Sequence, residues 1–160
     1  MFREFLGLPL HALVVHAAVT AIPALAVLAV VYVLRPRWRS RLDWAVALLA
    51  VGAPIVAFVA IESGEELSDA LAAKGYPQDA LDQIYYHSQQ GDWLFRFTVA
   101  LALVTLAKLV LDRGHERVRT LPPWVGRVLS VLVVVLAVPV LIYTVRAGHT
   151  GAETLWQNTF

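Results

Sequence analysis

The sequence predicts an all-α integral membrane protein, a four-helix up-and-down bundle with a short helical external loop. Three observations carry that prediction. Four uncharged apolar runs extend from Pro9 to Leu34, Trp44 to Ile61, Phe97 to Ala107 and Val128 to Val145. Hydrophobic residues make up 59% of the chain and charged residues 16%, with a mean hydropathy of +0.66. The charges gather between the runs rather than along them. A chain of 160 residues cannot hide that much apolar surface in one small soluble domain, so lipid must be part of its solvent.

The first helix is expected over residues 9–34. A bilayer core of about 30 Å needs roughly 20 helical residues, which this run supplies unaided. It is not a secretory signal, because Arg3 is offset by Glu4 and the apolar stretch exceeds the short core of a cleaved leader. It ends in the basic cluster Arg35-Pro36-Arg37-Trp38-Arg39-Ser40-Arg41. The second helix is expected over 43–62 and the fourth over 124–147. The third, 92–112, reaches spanning length only by including Trp93 and Leu111, which puts Arg96 and Lys108 near its ends, where long cationic side chains snorkel to the headgroups. Pro23, Pro54 and Pro139 fall inside three of the four and are expected to kink them.

Loop charge predicts the orientation. The stretch after the first helix and the one holding Lys108, Arg113, Arg117, Arg119 and Arg127 are basic, as cytoplasmic loops are. Between helices two and three, Glu62, Glu65, Glu66, Asp69, Asp79 and Asp82 face a single Lys74. The prediction is a bacterial cytoplasmic membrane protein with both termini outside. Residues 63–90 form the external lid, with a helix start at Ser63-Gly64-Glu65-Glu66, a stop at Gly75, a turn at Tyr76-Pro77 and a second amphipathic stretch leading to His87.

Several function classes fall away. Zero cysteines exclude disulfides, thiolate metal sites, iron–sulfur clusters and c-type haem attachment. A net charge of +1, with basic residues at helix ends, gives no nucleic-acid surface. The chain has no Gly-rich phosphate loop, no His-Glu-x-x-His and no Gly-x-Ser-x-Gly, so no catalytic residue is assigned. Transport has no support from a mid-membrane acid or an inverted repeat.

Chemistry is left to the histidines. His11 and His16 lie in the outer part of helix one, His87 leads into helix three and His149 follows helix four, so four of the five collect at one membrane face. His115 sits in the basic loop and reads as an ordinary exposed residue. His11 and His16 are separated by about 140° around the helix, so they do not converge on one small ion. Imidazoles from facing helices hold haem iron from both sides, with basic and aromatic groups accommodating the propionates and ring. His16 and His87 are the preferred axial pair for a haem b, and His149 with His11 or His16 the second choice. Arg96 and Arg146 are the candidate propionate partners, and Trp93, Tyr85, Tyr86 and Trp156 the aromatic neighbours. The competing readings are a copper or zinc site, with copper disfavoured by Met1 being the only methionine, and a cofactor-free structural or assembly subunit. Small-xxx-small spacing such as Ala17 with Ala21 allows helix contacts within the chain or in a homo-oligomer.

Gly7-Leu8-Pro9-Leu10-His11-Ala12-Leu13-Val14-Val15-His16, Ser63-Gly64-Glu65, His87-x-x-x-Gly91-Asp92 and Gly148-His149-Thr150-Gly151-Ala152 together resemble the bacterial membrane-protein family called domain of unknown function 2231, over nearly the whole chain. The resemblance implies a four-helix integral membrane protein, similar in layout to small b-type cytochromes, in which His11, His16, His87 and His149 match the family pattern. It brings no activity with it. Function therefore rests on the histidine chemistry, haem b binding with electron transfer to respiratory or cytochrome components.

Overall fold

The computed structural model describes residues 4–5, 8–114 and 122–156. Two short strands, β1 (Glu4–Phe5) and β2 (Leu8–Pro9), pair antiparallel ahead of the first helix. Four helices follow: α1 (Leu10–Leu34), α2 (Arg39–Ala73), α3 (Gln78–Asp112) and α4 (Pro123–Trp156). All four are long and apolar enough to cross a membrane.

Each boundary has a local cause. Arg35 precedes a proline and leaves the helical region at φ −122°, ψ 75°, which ends α1. A single 3-10 turn, Pro36–Trp38, then delivers the chain into α2. At the far end of α2 the Gly75 amide donates to the Ala72 carbonyl (3.0 Å) and the Tyr76 amide to that of Leu71 (3.3 Å). Gly75 takes φ +75°, the left-handed conformation this cap requires. Pro77, extended at ψ 148°, opens α3, and Pro123 occupies the first position of α4, where its missing N–H costs nothing.

These boundaries correct the expected lid. Residues 63–73 do not start a new helix but continue α2, and residues 78–91 are the first turns of α3. Ser63 is a mid-helix residue whose hydroxyl donates to the Ala60 carbonyl (3.1 Å) rather than capping an end. Nothing from Glu62 to Ala73 breaks a helix except Gly64, whose cost of about 1 kcal/mol is small against the packing it allows. The stop at Gly75 and the turn through Pro77 stand as expected. At 35 residues, α2 and α3 are each about 52 Å long and exceed a bilayer core as a helical hairpin. Pro23, Pro54 and Pro139 lie inside α1, α2 and α4, which run on through them.

The helices pack as a ring, α1 against α2 and α4, α3 against α2 and α4, with α1 and α3 on the diagonal. Small residues let them approach: Ala18, Ala26, Ala29, Ala50, Ala53, Ala57, Ala102 and Ala137 are all buried. The Ala17 of the expected small-residue pair faces outward. Leu25 is 0% exposed, whereas Leu48 is 64% and Val135 57% exposed. Ser63, Gln90, Thr98, Thr105, Lys108 and Thr150 are buried. An outside as apolar as the inside is the pattern of a protein solvated by lipid.

Lys108 departs from expectation. It is 3% exposed and turns into the bundle rather than snorkelling outward. There it pairs with Asp112, which also meets Arg39 at 3.1 Å, while Arg113 meets Asp43 at 3.6 Å. Arg39 donates from Nε to the Tyr32 carbonyl (3.2 Å) and lies over the Tyr32 ring. The basic end of the bundle is thus laced across α1, α2 and α3.

Candidate functional site

At the opposite end, where α1 begins, α2 and α3 turn and α4 finishes, two histidines meet across the diagonal. The rings of His11 (α1) and His87 (α3) stand 6.4 Å apart, centre to centre, with their planes at 82°. Each is held by the neighbouring even-numbered helix. His11 Nδ1 lies 2.9 Å from the Ala60 carbonyl, with Ser63 Oγ at 3.4 Å. A carbonyl only accepts, so Nδ1 carries the proton. In the neutral imidazole Nε2 then keeps its lone pair. His87 Nδ1 lies 3.0 Å from Thr150 Oγ1, whose hydroxyl also reaches the Arg146 carbonyl at 3.0 Å and the Ala147 carbonyl at 3.3 Å. The Thr150 hydroxyl is thus the partner that holds His87 at Nδ1. Among the described residues neither Nε2 takes a hydrogen bond. Each ring is fixed through its Nδ1, and metal-ligating histidines are likewise held through the nitrogen that does not bind the metal.

Two glycines make room for the rings. A Cβ on Gly64 would lie 3.0 Å from His11 Cε1, and one on Gly151 would lie 3.0 Å from His87 Cε1. Alanine at either position would push the ring away. One turn inward from His87 on the same side of α3, Gln90 is 6% exposed and among the described residues its Oε1 meets no hydrogen-bond donor. A cavity of about 260 Å³ opens beside Thr150, lined also by Asp82, Gln83, Tyr86, Glu153 and Thr154.

The supports repeat. Ala60-Ile61-Glu62-Ser63-Gly64-Glu65-Glu66 on α2 and Ala147-Gly148-His149-Thr150-Gly151-Ala152-Glu153 on α4 share Ala-x-x-Ser/Thr-Gly-x-Glu. In each, the hydroxyl residue lies beside a histidine Nδ1 and the glycine beside the same ring. The family described as predicted membrane protein (DUF2231) matches residues 7–159. The chain belongs to the DUF2231 family. No curated protein and no solved structure matches it.

The other predicted site residues of this DUF2231 protein lie elsewhere. His16 does not meet His87. Its ring is exposed and its Nδ1 bonds the Ala12 carbonyl of its own helix at 2.7 Å, because the rotation of about 140° that separates it from His11 turns it out of the bundle. His149 is exposed and meets Glu153 at 3.4 Å. Arg96 is nine residues from His87, half a turn from it around α3, and its guanidinium lies over Trp93. Arg146 lies over Tyr143. Tyr85 and Tyr86 are exposed. His115 lies outside the described residues. Of the four outer histidines, the structure brings together His11 and His87. The sequence reading missed Ala60, Thr150 and Gly151 as their supports, and the repeat between α2 and α4 is the signal that would have found them.

Proposed function

We propose that this DUF2231 protein binds haem b between His11 and His87 and carries electrons at one face of the membrane. The observation that supports this reading is the meeting of two imidazoles from diagonal helices, each held at Nδ1 by a neighbouring helix. To hold one ion between them the two imidazoles would need ring centres about 6.5 Å apart, taking about 2.0–2.1 Å per metal–nitrogen bond and about 1.2 Å from nitrogen to ring centre. The observed 6.4 Å fits that spacing. Ligand number favours haem over zinc. A zinc ion takes three or four protein ligands, and among the described residues no group of three or more His, Asp or Glu side chains is placed to hold a metal. Haem iron brings four nitrogens of its own and needs two more.

When bound, the haem supplies reversible one-electron chemistry. The chain supplies orientation and surroundings. The Ala60 carbonyl accepts from His11 Nδ1–H, which fixes that ring and increases its basicity, and the Thr150 hydroxyl holds His87 at Nδ1. Positive loop charge favours placing the histidine end outside the cytoplasm, in a bacterial cytoplasmic membrane, with respiratory or cytochrome components as the electron partners. A reporter active only in the cytoplasm is expected to be silent when fused at Phe160, and activity there would overturn the orientation.

The deciding experiment is purification in mild detergent after expression with haem in excess, followed by oxidised and reduced absorption spectra and a pyridine haemochrome assay. The expected result is a Soret band, sharp reduced α and β bands and near-stoichiometric haem. A colourless folded protein would overturn the reading. Metal analysis of that sample would then separate a copper or zinc site from a cofactor-free structural or assembly subunit.

A further inference from the structure

The surface between α3 and α4 carries a second arrangement, below the histidine end. Trp93 and Phe97 of α3 and Tyr143 of α4 form one stacked plate: Trp93 to Phe97 at 5.9 Å and 28°, Phe97 to Tyr143 at 5.5 Å and 29°, Trp93 to Tyr143 at 6.4 Å and 32°. The Arg96 guanidinium lies 5.0 Å from the Trp93 ring centre and that of Arg146 lies 5.7 Å from Tyr143. Both arginines are exposed. The apolar run of α3 starts immediately after Arg96 and that of α4 stops immediately before Arg146. On two antiparallel neighbours this sets both cations at the same edge of the hydrocarbon zone.

Their electrostatic situation differs from that of the inward cations. Arg39, Lys108 and Arg113 each have a carboxylate, whereas among the described residues neither Arg96 nor Arg146 forms an ion pair, Asp92 one turn from Arg96 included. A guanidinium resting on an aromatic face has its plane satisfied and its edge donors free. Those forked donors match a phosphate in geometry and charge. Trp and Tyr belong at the depth of the lipid headgroups, where phosphodiesters lie.

We infer that Arg96 and Arg146, on the Trp93–Phe97–Tyr143 plate, form a binding site for the phosphodiester of an anionic phospholipid. A zwitterionic lipid offers the same phosphate but brings an ammonium that two guanidinium groups repel, so the site discriminates by net headgroup charge. The inference is independent of the haem reading.

The test is native mass spectrometry of the detergent-solubilised full chain titrated with phosphatidylglycerol or with phosphatidylcholine of the same acyl chains. The wild type is expected to retain phosphatidylglycerol preferentially. Arg96→Gln and Arg146→Gln should each reduce that preference about fivefold, and the double variant should nearly abolish it, with helical content by circular dichroism unchanged. Arg37→Gln with Arg41→Gln, at the opposite end, is the control for general charge. No preference in the wild type, a preference that survives the double variant, or an equal loss in the control would each overturn the site.

Discussion

His11→Ala and His87→Ala are each expected to abolish haem binding, while His16→Ala and His149→Ala leave it near the wild-type level. The direction follows from placement. His11 and His87 face one another at 6.4 Å, His16 is bonded back to its own helix and His149 lies among exposed residues. Truncating either member of the pair removes one of the two side chains that would hold the haem. The supporting residues should give graded effects. Thr150→Val removes the hydroxyl that orients His87, and loss of such a partner lowers metal affinity about 10–100-fold. Gly64→Ala and Gly151→Ala each place a methyl 3.0 Å from a ring carbon, a clash worth about 1–3 kcal/mol if the backbone holds. Absorbance per protein at the Soret maximum, with circular dichroism as the check on folding, measures the whole series. Retention of haem in His11→Ala together with its loss in His16→Ala would sink the assignment and restore the pair suggested by sequence alone.

That reversal of partners shows how far the sequence can be read. Runs of apolar residues fix which segments enter lipid, because the requirement is thermodynamic and local: every apolar side chain from Val128 to Val145 is acceptable to the bilayer wherever it points. The same tolerance erases rotational information. In a soluble helix a polar face marks the outside, but here Leu25 and Leu48 are equally apolar and lie one inside and one outside. His11 and His16 could therefore be separated by angle from sequence, yet not assigned to interior and exterior. Depth misled in the same way. His16, deeper in its helix, looks the costlier residue to leave unpartnered, but it satisfies one nitrogen on the Ala12 carbonyl, while His11 at the helix mouth takes the inward position.

The lid was misread for a related reason. Ser63-Gly64 followed by two glutamates has the composition of a helix start, and composition is all that a capping argument sees. The structure uses Gly64 for its missing Cβ, as the surface on which the His11 ring lies. A glycine kept for contact and a glycine kept for a turn are indistinguishable until the partner is known. Gly75, whose φ of +75° is required by the cap itself, was readable because its role is local.

Asp112→Asn is expected to be the most destabilising single substitution at the basic end. Asp112 is shared by Lys108 and Arg39, and its side chain is 15% exposed while that of Lys108 is 4% exposed. Removing the carboxylate leaves two cations facing each other with little water between them, and breaking a buried pair costs about 3–5 kcal/mol for that reason. Lys108→Met behaves differently. It takes away the more buried charge but leaves Asp112 with Arg39, so no uncompensated ion remains, and a flexible apolar side chain of similar length fills the space. Its cost should be small, and adding it to Asp112→Asn should recover part of the stability lost, because it removes one of the two opposed cations. Thermal unfolding of the three variants in the same detergent checks the ordering. A Lys108→Met variant as unstable as Asp112→Asn would mean that the lysine contributes through contacts other than this shared carboxylate. Lys108 does not snorkel because the Asp112 carboxylate, one turn ahead on its own helix and held by Arg39 of α2, is a better partner than the headgroups.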